Sequence, residues 1–267
     1  MNEIFLFLPL LSFGVGILVG LTGIGGASLI TPMLIVVFQV PPAIAVSSDI
    51  VAATLMKVVG GIKHWRQQTV DHQVVQWLAT GSVPGALLGV GILHHLKQTS
   101  TLDLDTVLVR CIGIAILLIT VLALVQLIVL TAMPDFQLPS LPIIDLTTIR
   151  GQATTITIGA ILGCIVGMTS VSSGSLFAIV LITFFRLDTQ RLVGTDLTQA
   201  AILLGFTSLG HLGLGTVDWS LVLPIWLGSV PGVLVGAKLC QIAPQRLLKF
   251  IVYVLLVVVS WKLAYSV

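Results

Sequence analysis

Gly20-Leu21-Thr22-Gly23-Ile24-Gly25-Gly26-Ala27-Ser28 interrupts an apolar stretch near the start of the chain, and its reading decides the fold. Taken as one helix, the stretch of about 36 residues would be roughly 54 Å long, against about 30 Å of bilayer hydrocarbon. It must fold back, and the glycines mark where. The part beyond the break, 26–39, is too short to cross comfortably and reads as a half-helix or re-entrant segment.

The same pattern returns at a constant offset of 147 residues. Gly16, Val19, Gly20, Thr22, Ser28 and Leu29 match Gly163, Val166, Gly167, Thr169, Ser175 and Leu176. Asp49 matches Asp196, His64 matches His211, and Thr69-Val70-Asp71 matches Thr216-Val217-Asp218. Gly81-Ser82-Val83-Pro84-Gly85 returns as Gly228-Ser229-Val230-Pro231-Gly232. About 24 of the 75 positions from 16 to 90 are identical to their partners, in one register that runs through loops as well as apolar runs. Two homologous halves follow: a first repeat over 1–130, a linker over 131–149 and a second repeat over 150–267.

Composition sets the solvent. Of 267 residues, 57% are hydrophobic and only 8% charged, mean hydropathy is +1.15 and the formal net charge is +2. Twenty-two charged side chains, 12 basic and 10 acidic, cannot coat a soluble protein of this size. This excludes a soluble enzyme, a disordered chain and a nucleic-acid binder with a basic face. The 26 glycines and 6% aromatic residues suit close-packed helices in lipid better than a barrel with aromatic girdles. Cys111, Cys164 and Cys240 lie singly in apolar runs and read as small buried residues. Met1-Asn2-Glu3 lacks the basic start of a signal peptide, so the first helix is expected to be retained.

Ten apolar segments emerge, near 4–22, 26–39, 43–62, 74–94, 106–130, 150–168, 173–185, 190–210, 219–238 and 247–266. The positive-inside rule gives their orientation. Lys63 and Arg66 place loop 63–73 in the cytoplasm, while its partner 211–218 carries no Lys or Arg. Arg186 and Arg191 lie in a loop whose partner, 39–44, has none. The bias reverses between the halves, which predicts inverted topology with an odd number of crossings in each. Both termini then fall outside and the linker inside.

These motifs together resemble the TauE/SafE family, the sulfite-exporter-like membrane permeases. The resemblance rests on the break at 20–28, Ser47-Ser48-Asp49, Lys57, Thr69-Val70-Asp71 and the first GSVPG. In the second half it rests on Gly167-Met168-Thr169-Ser170-Val171-Ser172-Ser173-Gly174-Ser175, Gly194-Thr195-Asp196, His211, Val217-Asp218-Trp219 and the second GSVPG. It covers almost the whole chain. It implies a secondary transporter for small sulfur-containing anions such as sulfite or organosulfonates. Ser172-Ser173 stand where glycine or alanine is usual, and Ser47-Ser48 where Gly-Thr is usual.

The residues suggest how an anion would be held. Broken helices at membrane depth line cavities. A half-helix start offers free N–H groups and partial positive charge without a full cation. Thr22, Gly23, Gly25, Gly26 and Ser28 in one half, and Thr169, Ser170, Ser172, Ser173 and Ser175 in the other, form the candidate anion site. Asp49 and Asp196 are intramembrane acids, and two readings stand side by side: reversible proton carriers or helix N-caps. Lys57 has no counterpart, position 204 being leucine. It reads as a lysine snorkelling towards the loop, with pairing to an acid or the anion as the alternative. His64 and His211 read as loop-ordering or gating residues. His94-His95 bring no further metal ligands, and adjacent helix positions do not share a face. The GSVPG pairs read as kinks and close-packing sites.

The expectation is an all-α membrane transporter of two inverted repeats, exporting by alternating access and coupled to protons through Asp49 or Asp196. The rival is a passive anion channel or uniporter. The expected setting is the plasma (inner) membrane, with no cofactor, metal or nucleic acid. A homodimer is kept as one assembly among others.

Overall fold

A computed structural model of the chain describes residues 2–22, 27–99, 104–132, 143–170, 175–187, 189–239 and 245–265. All regular elements among them are helical: α1 (Asn2–Thr22), α2 (Ala27–Val36), α3 (Pro42–Arg66), α4 (His72–Thr99), α5 (Leu104–Ala132), α6 (Ile149–Thr169), α7 (Ser175–Val180, continued by a π-helical turn Leu181–Phe185), α8 (Thr189–Gly213), α9 (Trp219–Leu239) and α10 (Gln245–Tyr265). Five are long and apolar enough to cross a bilayer, within α3, α4, α6, α8 and α9. Outward-facing side chains such as Leu88, Leu118, Leu227 and Val258 are exposed and apolar, as a lipid-facing surface requires.

The helix ends repeat at the same offset as the sequence. Gln39 and Arg186 both take left-handed backbone, with φ of 52° and 48°, where α2 and the π turn stop. Gln68 and Gly215, at φ 54° and 65°, close α3 and α8 in the same way. Asp71 and Asp218 then start the following helices. The Asp71 carboxylate accepts from the Val74 N–H at 3.1 Å, and that of Asp218 from the Ser220 N–H at 2.8 Å.

Helix pairing interleaves the halves. α1 packs on α9, and α6 on α4; α3 crosses α8, and α5 meets α10; α4 also touches α8, as α3 touches α9. Each pairing maps onto another, or onto itself, when the halves are exchanged. α4 and α6 run parallel: a Cβ on Gly81, Gly85 or Gly89 would lie 2.0 Å from the Ile156 carbonyl oxygen, 2.2 Å from that of Ala160 and 2.4 Å from that of Cys164. Gly159, Gly163 and Gly167 face back in the same way. Lipid tails are as apolar as leucine, so such backbone contact, rather than exclusion of water, holds these helices together. The first GSVPG glycines therefore act as close-packing sites. α3 and its counterpart α8 run antiparallel, since Ser47 meets His211, Thr54 meets Ser208 and Gly61 meets Leu197.

One expectation about the cysteines is corrected. Cys111 is exposed on the outer face of α5 and Cys164 is half-buried; Cys240 lies outside the described residues. An apolar run around a residue does not tell a lipid-facing position from an interior one. The described end of the linker is a tight turn. The Asp145 carboxylate accepts from the Thr147 N–H and hydroxyl, which holds its carboxyl below the usual range, and Thr148 caps α6 through the Gly151 N–H.

Candidate functional site

Asp49 and Asp196 stand at equivalent points on the antiparallel pair α3 and α8. Each lies seven residues beyond its helix start at Pro42 or Thr189, so neither is an N-cap. Pro42 suits the first helical position because its missing N–H would have no partner there. The capping reading fails because both helices start where the apolar runs begin, about two turns before the acids.

The Asp49 carboxylate is fully buried. Its Oδ2 accepts two hydroxyls, one from Thr31 on α2 and one from Ser170 at 2.9 Å. Its Oδ1 is buried and has no hydrogen-bond partner among the described residues. Ser170 ends α6 with φ 58°, and its N–H returns to the Val166 carbonyl at 2.8 Å. That left-handed turn opens the second break, at the position where the first half has Gly23. One acid thus joins the short helix that follows the first break to the turn that opens the second.

Asp196 has different company. The Lys57 ammonium reaches its Oδ2 at 3.6 Å, with both side chains nearly buried. Lys57 therefore does not snorkel. It crosses from α3 to α8, and Leu204, buried, occupies the equivalent place in the other half. Next to this pair, Gln199 is fully buried and donates from Nε2 to the Ser82 hydroxyl at 2.9 Å, joining α8 to α4.

His211 is buried between the halves. Its Nε2 lies 3.2 Å from the Gly167 carbonyl, which can only accept, so Nε2 carries a proton. Its Nδ1 lies 2.9 Å from the Ser47 hydroxyl oxygen, which is also 2.8 Å from that of Thr216. His64 instead meets Thr69 directly, Nδ1 to Oγ1 at 2.8 Å. The difference traces to one position. Ser47 is Gly194 in the second half, and a Cβ on Gly194 would lie 2.4 Å from the Thr69 carbonyl oxygen. Each loop after these histidines is also tied across the halves. The Asp218 N–H donates to the Ser48 hydroxyl at 3.0 Å, and the Asp71 N–H to that of Thr195 at 2.9 Å.

Of the candidate anion-site residues, Ser28 and Thr169 are buried, and the Thr169 hydroxyl donates to the Ile165 carbonyl at 2.6 Å. Gly23, Gly25, Gly26, Ser172 and Ser173 lie outside the described residues, as do the side chains of Thr22 and Ser175. Sequence reasoning missed Thr31, Ser47, Ser48, Thr195 and Gln199 as members of this network. Thr31 could have been found, because it falls three residues after Ser28 on the same face of a short helix. The chemistry assembled here is two buried acids, each with one oxygen unpartnered among the described residues: Asp49 beside two helix breaks, and Asp196 beside a lysine.

The family model described as Sulfite exporter TauE/SafE matches residues 8–263. The chain is 37% identical over 259 residues to the probable membrane transporter protein YjnA of Bacillus subtilis (strain 168), covering 95% of this chain and 97% of the relative. It is 23% identical over 244 residues to the probable membrane transporter protein YdhB of the same organism, covering 91% and 94%. A shorter likeness, 34% over 92 residues, joins it to the probable membrane transporter protein YunE, covering 34% of this chain and 33% of the relative. No solved structure matches at a significant level.

Proposed function

The chain belongs to the sulfite exporter TauE/SafE family, an integral membrane transporter family rather than an enzyme class, and from that premise we propose a secondary transporter of small sulfur-containing anions. Sulfite or an organosulfonate is the substrate, alternating access the mechanism, export the direction and proton movement the coupling. The observation that carries this reading is the meeting of Thr31 and Ser170 on the Asp49 carboxylate, which draws the two broken segments to one buried acid. N–H groups at the starts of α2 and α7 would receive the anion without a full cation. Sites of this kind lie near the midplane, between repeats.

The topology that goes with this reading is inverted: a first repeat to residue 130, a linker to 149 and a second repeat beyond, with both termini outside. The antiparallel run of α3 against its counterpart α8 supports it, because an axis along the membrane normal would leave counterparts parallel. The glycine-locked pair α4/α6 and its counterpart α1/α9 are the natural rigid bodies, each built from both halves. Alternation then moves these pairs against the central α3/α8 crossing. A plasma (inner) membrane location and a homodimer complete the proposal.

The test is flux into proteoliposomes of the purified protein, with sulfite set against sulfate, thiosulfate and taurine, and with and without an imposed pH gradient. Sulfite accumulation above equilibrium that follows the gradient is the expected result. Downhill flux alone would establish the channel or uniporter instead, and no flux of any of these anions would remove the sulfur assignment.

A further inference from the structure

The two buried acids are not interchangeable. Asp196 already has its countercharge in Lys57, 3.6 Å away. The ammonium offsets the carboxylate's charge where the two are buried together. Asp49 has no cation paired with it among the described residues. Oδ2 is taken by the hydroxyls of Thr31 and Ser170, and Oδ1, like the Asp196 Oδ1, is buried with no partner among the described residues, so the difference between the two acids is the cation and not the open oxygen. A fully buried carboxylate stabilised by two neutral donors cannot share its surroundings with an anion, because two negative charges would meet in a medium of low dielectric. Protonated, the same group reverses its role: it is neutral, and its O–H is a donor.

We propose that Asp49 takes up the coupling proton on Oδ1, that the neutral acid then donates this O–H to the anion at the Ser170 turn, and that proton and anion cross together. The inference rests on the anion reading given above and adds the identity of the coupling acid and the sign of the coupling. Proton and anion bind synergistically and move in the same direction, as an electroneutral pair for a monoanion. The proton enters from one aqueous side with the anion and leaves with it on the other. Outward transport then runs on the anion's own gradient and carries one proton out per turnover.

Other titratable groups around α3 are accounted for. α2 contributes none. α8 contributes Arg191 near its start, Asp196 and His211, the second paired with Lys57 and the third held by Ser47 and Gly167. α9 is preceded by Asp218, whose carboxylate caps Ser220, and carries Lys238 near its far end. α5 carries Asp105, Arg110 and Cys111 near its start, and α3 itself carries Lys57, Lys63, His64 and Arg66.

The experiment measures binding of methanesulfonate, an anion whose charge is constant over the useful pH range, and of sulfite to the full chain in lipid nanodiscs. Titration calorimetry in buffers of different ionisation enthalpy gives both affinity and protons taken up. The wild-type Kd for methanesulfonate should rise about tenfold per pH unit once Asp49 is ionised in the free protein, since only the protonated fraction binds. One proton should be taken up per anion. D49N should bind with an affinity flat in pH and with no proton uptake, while D196N and H211Q keep the slope. Should D49N fail to fold, the wild-type proton count decides alone. Binding that is flat in pH, a slope that survives D49N, or a dependence on sodium in place of pH would overturn the inference and leave the anion reading intact. Absence of binding of either anion at every pH would instead overturn the anion reading, and this inference with it.

Discussion

Asp49 and Asp196 occupy the same place in two copies of one motif, yet Asp49 is held by two hydroxyls and Asp196 by an ammonium. Three substitutions make the difference. Thr31, Ser170 and Lys57 stand where the other half has Ala178, Gly23 and Leu204. Duplication supplies the symmetric frame, in which counterpart helices cross and loops dock on each other through Ser48 and Thr195. The chemistry lies in the departures from symmetry. A buried charge that is already neutralised is a fixed strut, whereas one held only by neutral donors can change state.

The comparison can be broken by giving each half the other's residue. The largest effect is expected for K57L, which leaves Asp196 buried without its countercharge. Breaking such a pair costs roughly 3–5 kcal/mol, and the double variant K57L/D196L should recover most of it. Thermal unfolding in detergent would check both, and equal stability of single and double variants would contradict the fixed-strut role. Next comes S47G, which copies Gly194 and strips His211 Nδ1 of its hydroxyl partner. An expected loss of about 1–3 kcal/mol follows from leaving a buried polar atom unpaired. T31A should cost a similar amount, because it removes a donor from Asp49 with no compensation. The smallest change in stability is expected for S170G. It loses the other donor, worth about 1.5–3 kcal/mol to a charged group, but glycine relieves a left-handed backbone that costs other residues about 1–2 kcal/mol. The net change should stay near 1 kcal/mol, while anion binding weakens in both T31A and S170G. Matched unfolding and binding curves would separate the two effects; equal destabilisation by T31A and S170G would argue against backbone strain at Ser170.

The elements were legible because each apolar run is one helix, and because glycine-rich breaks cannot lie inside a single crossing. The place of the acids within them was less so. α3 and α8 begin at Pro42 and Thr189, where the apolar runs begin, but Ser48-Asp49 and Thr195-Asp196 look like caps when read without the two turns before them. Lys57 was misread for a related reason. Its distance to the loop is a local property readable from spacing, but its partner sits on a helix about 140 residues away. Thr31 and Ser170 share one oxygen only because α2 and the end of α6 converge on α3, and no periodicity in either segment encodes that meeting. The pairing of α1 with α9 was hidden too. Small-residue faces in lipid look alike, so GSVPG announces a close contact without naming its partner.

The interleaved pairing also sets an order of assembly. α4 and α6 are separated by about 50 residues and can lock soon after α6 enters the bilayer. α1, by contrast, precedes its partner α9, which starts at Trp219, by almost 200 residues. At about 5–20 residues per second of synthesis, α1 waits roughly 10–40 s with its glycine face unmatched. A nascent chain halted after the first repeat therefore holds α1 and α4 without either of their glycine-matched partners, an orphaned intermediate exposed to membrane quality control until α6 and then α9 are made.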